Sequence, residues 1–422
     1  MIALVVLVLA RVPVAVSLGL VGVGGYVVLE GWDKAAAALG SAPLELASSY
    51  GLSVVPLFVL MGAFATTAGL SADLFKAANS IFAKKRGSLA FAAIGASAVF
   101  GAVCGSSVAT AATMSRVSIP EMLKAGYSPA LAAGVVAAGG TLGILIPPSL
   151  ILMIYAIIAQ QSVVKLFAAA LVPGIVLTVL YLLTVFVQVR AKPDLAPIVV
   201  GEGTRRLLHD LLRVWDVVLL FGFVLGGIYV GWFSPTEAAA IGAFGAALVG
   251  IFRRRLPWPE ARASLAETVR ITATLTLIVV GSTIFSYFVV QSGIAKGLVA
   301  WIAALGVPPT AVMILLVVLY VVLGCFLEGI GMVLVTVPIL LPLVVANGFD
   351  PIWFGVLLVI VVEIGLIHPP VGMNLFVIRT QAPEIRLLDM YRGVLPFLVA
   401  PFVLIALLLL FPDLALWLAR RV

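Results

Sequence analysis

The sequence predicts an all-α polytopic membrane protein, an inverted repeat of about nine spanning helices, two of them broken, with two re-entrant hairpins. Three observations carry that expectation. The 422 residues are 63% hydrophobic and 10% charged, with a mean hydropathy of +1.26, whereas soluble domains hold roughly 45–50% apolar and about 25% charged residues. Apolar stretches recur at spanning length. Finally, residues 120–148 recur without a gap at 342–370, a shift of 222 positions. Pro120, Gly126, Pro129, Gly143, Pro147 and Pro148 fall on Pro342, Gly348, Pro351, Gly365, Pro369 and Pro370.

All six identities are helix breakers inside apolar sequence. A helix end at bilayer depth leaves backbone groups unpaired, so it survives only where protein or a water-filled cavity satisfies them. Matched breaks in two halves point to the binding site of a secondary transporter.

With ~20 residues needed per crossing, the elements read in order as follows. Residues 2–29 form a first spanning helix, although Arg11 and Pro13 interrupt it. No basic segment leads into a short apolar core and a cleavage site, so a signal peptide is not expected. An outer loop covers 30–50, then 51–71 spans. Segment 72–83, with Asp73 and Lys76, lies along the interface. In 87–118 two apolar helices, each short for a crossing, meet at the polar tip Gly105-Ser106-Ser107, which suits a re-entrant hairpin. Helix 128–159 is broken at Ile146-Pro147-Pro148, and 166–190 completes a first repeat over 1–200.

A connecting segment over 201–231 contains an odd crossing at 214–231, which inverts the second repeat, 232–422. That repeat runs through spans at 235–252 and 268–291 and an interfacial segment at 293–306 carrying Lys296. A hairpin at 309–342 follows, with the tip Glu328-Gly329-Ile330-Gly331. Helix 351–380 is broken at His368-Pro369-Pro370, and a last span covers 388–411.

Charge tests this count independently. If 51–71 ends in the cytoplasm, inside loops hold Lys84-Lys85-Arg86, Arg190, Lys192, Arg205, Arg206, Arg213, Arg253-Arg254-Arg255, Arg262, Arg379, Arg386 and Arg392. The outside receives Glu30, Asp33, Lys34, Glu45, the uncharged turn 231–234 and Asp350. The bias follows the positive-inside rule, with Arg420-Arg421 as the exception. It places the N-terminus inside, the C-terminus outside, the first hairpin entering from the cytoplasm and the second from outside. The formal charge of +7 is thus topological and no nucleic-acid partner is expected; the partner of these surfaces is the lipid bilayer. The runs Lys84-Lys85-Arg86 and Arg253-Arg254-Arg255 read as topological anchors, with contact to lipid headgroups or to a partner subunit as the alternative roles.

At the first tip one helix ends and another begins, so carbonyls that attract cations lie beside N–H groups that attract anions. Ser106, Ser107, Thr110 and Thr113 add hydroxyls there. Binding is one role for them; capping and close packing is the other. At the second tip Glu328 stands at membrane depth before Gly329 and Gly331. Such an acid marks an ion path or a structural pair, here with a base such as Lys296 or Arg270, and the same alternatives hold for Glu363. The breaks at Gly143–Ser149 and Gly365–Asn374 free carbonyls, because proline donates no hydrogen bond. Freed carbonyls beside the oxygens of Ser149 and Asn374 suit Na⁺, a hard cation. His368 titrates near neutral pH when free or is simply hydrogen-bonded. Ser234-Pro235-Thr236-Glu237 is a capping box.

Two histidines and two cysteines provide no metal spacing, and no P-loop or dinucleotide glycine loop is present. No enzymatic activity and no cofactor are expected, and transport must run on a gradient or a partner. Cys104 and Cys325 read as small buried packing residues.

The motifs GSSVATAATMSRVSIPEMLKAGYSPALAAG, GILIPPSLILMIYA, FSPTEAAAIGA, GCFLEGIGMVLVTVPILLP and GLIHPPVGMNLFVI resemble those of the large membrane subunit of TRAP transporters (tripartite ATP-independent periplasmic transporters). The likeness covers nearly the full length. It implies an elevator-type Na⁺ symporter of the ion-transporter superfamily in a bacterial inner membrane. It also implies a small four-helix membrane subunit and a periplasmic solute-binding protein as partners. Organic acids would be the substrates: C4-dicarboxylates, sialic acid, keto acids or sugar acids. The resemblance lands on Gly105, Ser106, Ser107, Gly143, Pro147, Pro148, Gly329, Pro369, Pro370 and Asn374.

Taken together, Ser106, Ser107, Thr110, Pro148, Ser149 and Asn374 are the expected substrate contacts. Gly105, Ser107, Gly143, Pro147, Glu328, Gly329, Gly331, Pro369 and Pro370 are the expected Na⁺ ligands. Two departures matter: the family often has Asp where this chain has Glu328, and Thr where it has His368. Rival readings are a standalone anion transporter of the same superfamily, or a channel or scaffold.

Overall fold

The computed structural model describes residues 2–10, 12–83, 85–198 and 207–422, all of it helix and connection with no strand among the described residues. The first half comprises α1 Ile2–Leu9, α2 Val14–Glu30, α3 Trp32–Ala47, α4 Val54–Thr67, α5 Leu70–Phe82, α6 Ser88–Cys104, α7 Ser107–Lys124, α8 Pro129–Leu145, α9 Leu150–Ile158 and α10 Val163–Ala191. Between the halves stand α11 Leu207–Leu212 and α12 Trp215–Val230. The second half comprises α13 Pro235–Phe252, α14 Trp258–Ser292, α15 Ile294–Ala304, α16 Pro309–Gly324, α17 Gly329–Ala346, α18 Pro351–Ile367, α19 Met373–Gln381, α20 Leu387–Leu410 and α21 Asp413–Ala419. Among the described residues, seven helices, counting the broken α8–α9 as one, have the length and apolarity to cross a membrane. The helices α17 and α18 begin and end 222 positions after α7 and α8, so the sequence repeat is also a repeat of structure.

Two expectations are corrected and a third is extended. The apolar run 2–29 is two helices, because Pro13 lacks a donor and biases Val12 away from helical geometry; Arg11 lies outside the described residues, as do Lys84, Arg205 and Arg206. The segment 30–50 is largely the helix α3 rather than a loop. Gly31, at φ +86°, ends α2, Asp33 favours the new N-terminus, and the alanine run sustains it despite Pro43. Arg253 and Arg255, expected as topological anchors, are in addition structural ties. Arg253 grips both oxygens of Asp216 at 2.8 Å, bonds Asp73, and donates to Arg213 O at 2.6 Å. Arg255 adds Asp73 at 3.3 Å and Ala68 O at 3.1 Å. Together they gather α5, the start of α12 and the end of α13 at one end of the bundle.

Both broken helices lie at the centre. Every residue from Leu131 to Leu145 in α8 and from Trp353 to Ile367 in α18 is buried. Glycine lets neighbouring backbones cross them closely. A methyl added at Gly101 of α6 would stand 2.6 Å from Gly143 Cα in α8, and one at Gly324 of α16 would stand 2.8 Å from Gly365 Cα in α18. These matched crossings hold each pair of tip helices against its broken helix.

Candidate functional site

The first tip is tied to the first break by backbone. Helix α6 ends at Cys104, and Gly105 turns the chain at φ +63°. A Cβ there would be strained by that φ and would stand 2.9 Å from Pro148 O. Gly105 O accepts from Leu150 N at 3.3 Å, so the tip closes onto the start of α9. Ser106 caps α7, accepting from Ala109 N at 3.4 Å. Across the break, the buried Ser149 caps α9 by accepting from Leu152 N at 3.3 Å and donates to Ile144 O. Its hydroxyl is thus engaged in both directions. Pro147 and Pro148, joined by a cis peptide bond, are buried behind the tip.

The second tip is built differently. Glu328 stands at the cap position of α17, but its side chain caps nothing and is exposed. Gly329 is buried, and a methyl there would stand 2.5 Å from Val362 Cγ1 and 3.3 Å from Ile151 Cδ1. The second tip therefore rests on both broken helices. His368 ends α18, with Nδ1 3.8 Å from Cys325 Sγ. After Pro369-Pro370, also joined by a cis bond, Gly372 at φ +62° starts α19. Tyr391 donates to Pro370 O.

The two halves meet at Asn374. Its Nδ2 donates to Ser107 Oγ at 2.8 Å and to Ala137 O at 3.4 Å, joining α19 to α7 and α8. Its Oδ1 is buried with no hydrogen-bond partner among the described residues, and so is Thr110 Oγ1. A methyl at Gly143 would stand 2.6 Å from that Thr110 oxygen and 3.0 Å from Ser106 O. A buried polar atom without a partner costs about 1–3 kcal/mol, and an ion-binding role is one physical account of such atoms. Oxygens of this kind suit a hard cation. No cluster of three or more His, Cys, Asp or Glu exists among the described residues.

All four interruptions open onto one small cleft of about 60 Å³. Gly105, Ser106 and Ser107 line it from the first tip, and Glu328, Gly329 and Ile330 from the second. Ile144 and Leu150 come from the first break, Leu366 and Met373 from the second. Of the residues singled out by sequence, Gly105, Ser106, Ser107, Glu328 and Gly329 thus meet in the cleft. Thr110 and Gly143 form a buried, oxygen-rich seat, and Asn374 bonds Ser107, three residues before Thr110 on the same helix. Pro147, Pro148 and Ser149 shape the break. Gly331 faces α2, with Val14 side-chain atoms 3.4 Å from where its methyl would stand. Pro369 is half-buried and Pro370 exposed, and neither lines the cleft.

Sequence reasoning did not find Ile144, Leu150, Leu366, Met373 or the Ala137 carbonyl; their proximity to the two breaks was the available signal. Neither Glu328 nor Glu363 is ion-paired to a base among the described residues, Lys296 and Arg270 included. Glu363 is fully buried with both oxygens unpartnered.

A family model described as "Tripartite ATP-independent periplasmic transporter, DctM component" matches residues 1–414. The chain is 35% identical over 373 residues to the C4-dicarboxylate TRAP transporter large permease protein DctM of Pseudomonas aeruginosa, covering 88% of this chain and 87% of that one. It is 31% identical over 396 residues to the isethionate TRAP transporter permease protein DctMQ of Oleidesulfovibrio alaskensis, covering 92% of this chain and 60% of that longer one. Among solved structures, the YdaH transporter of Alcanivorax borkumensis superposes with a TM-score of 0.64 at 16% identity, covering 93% of this chain and 90% of that chain. That last likeness concerns the fold alone.

Proposed function

The chain belongs to the DctM component family of tripartite ATP-independent periplasmic transporters, a multi-pass membrane transport subunit, and on that premise we propose that it is the Na⁺-coupled, membrane-embedded part of an organic-acid importer. The observation that carries this reading is the convergence of four helix interruptions on one cleft, beside two buried oxygens that lack partners. Thr110 Oγ1 and Asn374 Oδ1 would hold Na⁺ together with carbonyls at the first tip, and Glu328 would add charge at the cleft mouth. Backbone N–H groups at the starts of α7 and α17 favour an anion such as a carboxylate. The names of the relatives support organic anions as substrates, one of them C4-dicarboxylates and the other isethionate.

In this reading the two tips and the two broken helices move as one unit against the remaining helices. The chain works in the inner membrane with a small four-helix subunit and a periplasmic binding protein. The greater length of the DctMQ relative supports a partner on the membrane side.

The test is uptake into proteoliposomes holding the full complex, with a panel of organic acids presented on the cognate binding protein. An inward Na⁺ gradient is expected to be required. Uptake driven equally by K⁺ or by a proton gradient alone would overturn the coupling. A disulfide engineered between the first tip and a helix of the surrounding frame is expected to abolish uptake until reduced; intact uptake with the bond formed would overturn the moving unit.

A further inference from the structure

Away from the transport cleft, an open cleft of about 1040 Å³ lies at the turn between α5 and α6, against the last turn of α10. Phe82, Phe91, Phe186 and Val189 form its walls, and Lys85, Arg86 and Arg190 its rim. The walls are well packed: the Phe82 and Phe91 rings lie 5.5 Å apart, and a methyl on Gly87 would stand 3.2 Å from Val189 Cγ2. All three cations are exposed, and none makes an ion pair or side-chain hydrogen bond among the described residues. The contrast with Arg253 and Arg255, spent on Asp73 and Asp216, is clear. Three like charges round one opening repel one another and favour an anion between them.

The helix α10 indicates which anion. Ile175, Val179, Leu183 and Phe186, each more than half exposed, recur every three or four residues and form one stripe that ends in the cleft. At 1.5 Å per residue the stripe runs roughly 16 Å, about half of a 30 Å hydrocarbon core. A small soluble anion has no use for such a stripe, whereas an acyl chain matches it. We propose that this cleft binds an anionic phospholipid, its phosphate held by Lys85, Arg86 and Arg190 and an acyl chain lying along Phe186, Leu183 and Val179. Basic pockets at helix ends with apolar walls are the surfaces on which membrane proteins hold acidic lipids.

Native mass spectrometry of the purified full chain in detergent tests this, with dioleoyl phosphatidylglycerol, dioleoyl phosphatidylcholine and inorganic phosphate as probes. Phosphatidylglycerol is expected to bind, phosphatidylcholine weakly, and phosphate not at all. Each charge removed should weaken phosphatidylglycerol about fivefold, so Lys85→Gln/Arg86→Gln/Arg190→Gln loses most of the adduct. Arg86→Lys/Arg190→Lys should retain it, which separates lost charge from lost fold, and Arg262→Gln should leave it unchanged. Equal binding of both lipids, persistence of the adduct in the triple variant, or competition by inorganic phosphate would overturn the proposal. So would a photo-crosslinker at position 186 that captures a polypeptide in the native membrane instead of lipid.

Discussion

At the N-terminus of α7 the cap is Ser106, whose oxygen accepts from Ala109 N at 3.4 Å; at the N-terminus of α17, 222 positions later, it is Glu328, whose carboxylate caps nothing. The same substitution recurs inside the broken helices. Thr141 of α8 donates to Ala138 O at 2.8 Å and lies 3.1 Å from Tyr181 Oη, whereas Glu363, its counterpart in α18, has two unpartnered oxygens. Twice, a satisfied hydroxyl in the first half faces an unsatisfied carboxyl in the second. The breaks differ likewise: Pro147 and Pro148 are buried, while Pro370 is exposed. Two copies of one backbone have thus taken separate tasks. The first carries the capped tip and the buried seat at Thr110 and Gly143, and the second holds the acids and the bridging Asn374.

The largest effect is expected at the glycine crossings. Gly143→Ala would push its methyl into Thr110 Oγ1 and Ser106 O, displacing the seat itself. Overpacking of this kind costs about 1–3 kcal/mol, and uptake should fall more than about tenfold, the equivalent of 1.4 kcal/mol. Gly365→Ala meets Gly324 Cα at 2.8 Å and should destabilise comparably while sparing more uptake, since no hydroxyl lies in its path. Melting in detergent beside uptake separates the two. Equal losses of uptake would show that the halves are not specialised.

Next comes Asn374→Ala, which removes the donor to Ser107 and to Ala137 O. The buried Ser107 loses its partner, at a cost of about 1–3 kcal/mol, and the half-saturating Na⁺ concentration is expected to rise. Unaltered Na⁺ dependence would leave the amide a purely structural bridge.

Glu328→Gln and Glu363→Gln are expected to cost little stability, because neither acid is paired with a base among the described residues and no buried charge is orphaned. Thermal unfolding checks this, and a large loss in either variant would reveal a structural pair. For Glu328→Gln a weaker Na⁺ response should accompany the intact fold. The smallest effect is Ser234→Ala, at the capping box that begins α13. About 1 kcal/mol of stability should be lost, with uptake and Na⁺ dependence unmoved.

Much of the architecture was legible because helix breakers in apolar sequence leave few alternatives. The repeated Pro and Gly pattern located α8 and α18, which start at Pro129 and Pro351 and stop before the Pro-Pro breaks, whereas Pro120 and Pro342 lie inside α7 and α17 and end neither helix. The capping box at Ser234 was also legible, being a local pattern, and its reciprocal bonds are present. Contacts distant in sequence were not. Ser107 and Asn374 were each singled out, yet nothing in the chain announces that they bond across 267 positions. Nor does composition reveal that Arg253 finds Asp73 and Asp216 while Arg190 finds no acid among the described residues. The hydroxyl of Ser149 reads as a free oxygen in sequence; its local bonds to Ile144 and Leu152 emerge only when the break takes its shape.

The central claim is that Glu328 at the second tip and Asn374, bonded across to Ser107 of the first half, serve one cation site, and Na⁺ titration of uptake in a double-mutant cycle tests it most directly. Wild type, Glu328→Gln, Asn374→Ala and the double variant would be compared in proteoliposomes with their partner subunits. Both single changes are predicted to raise the half-saturating Na⁺ concentration. The double change is predicted to raise it by a factor different from the product of the two, as residues sharing one site do. A response to Asn374→Ala alone, with Glu328→Gln indistinguishable from wild type in either background, would contradict the account.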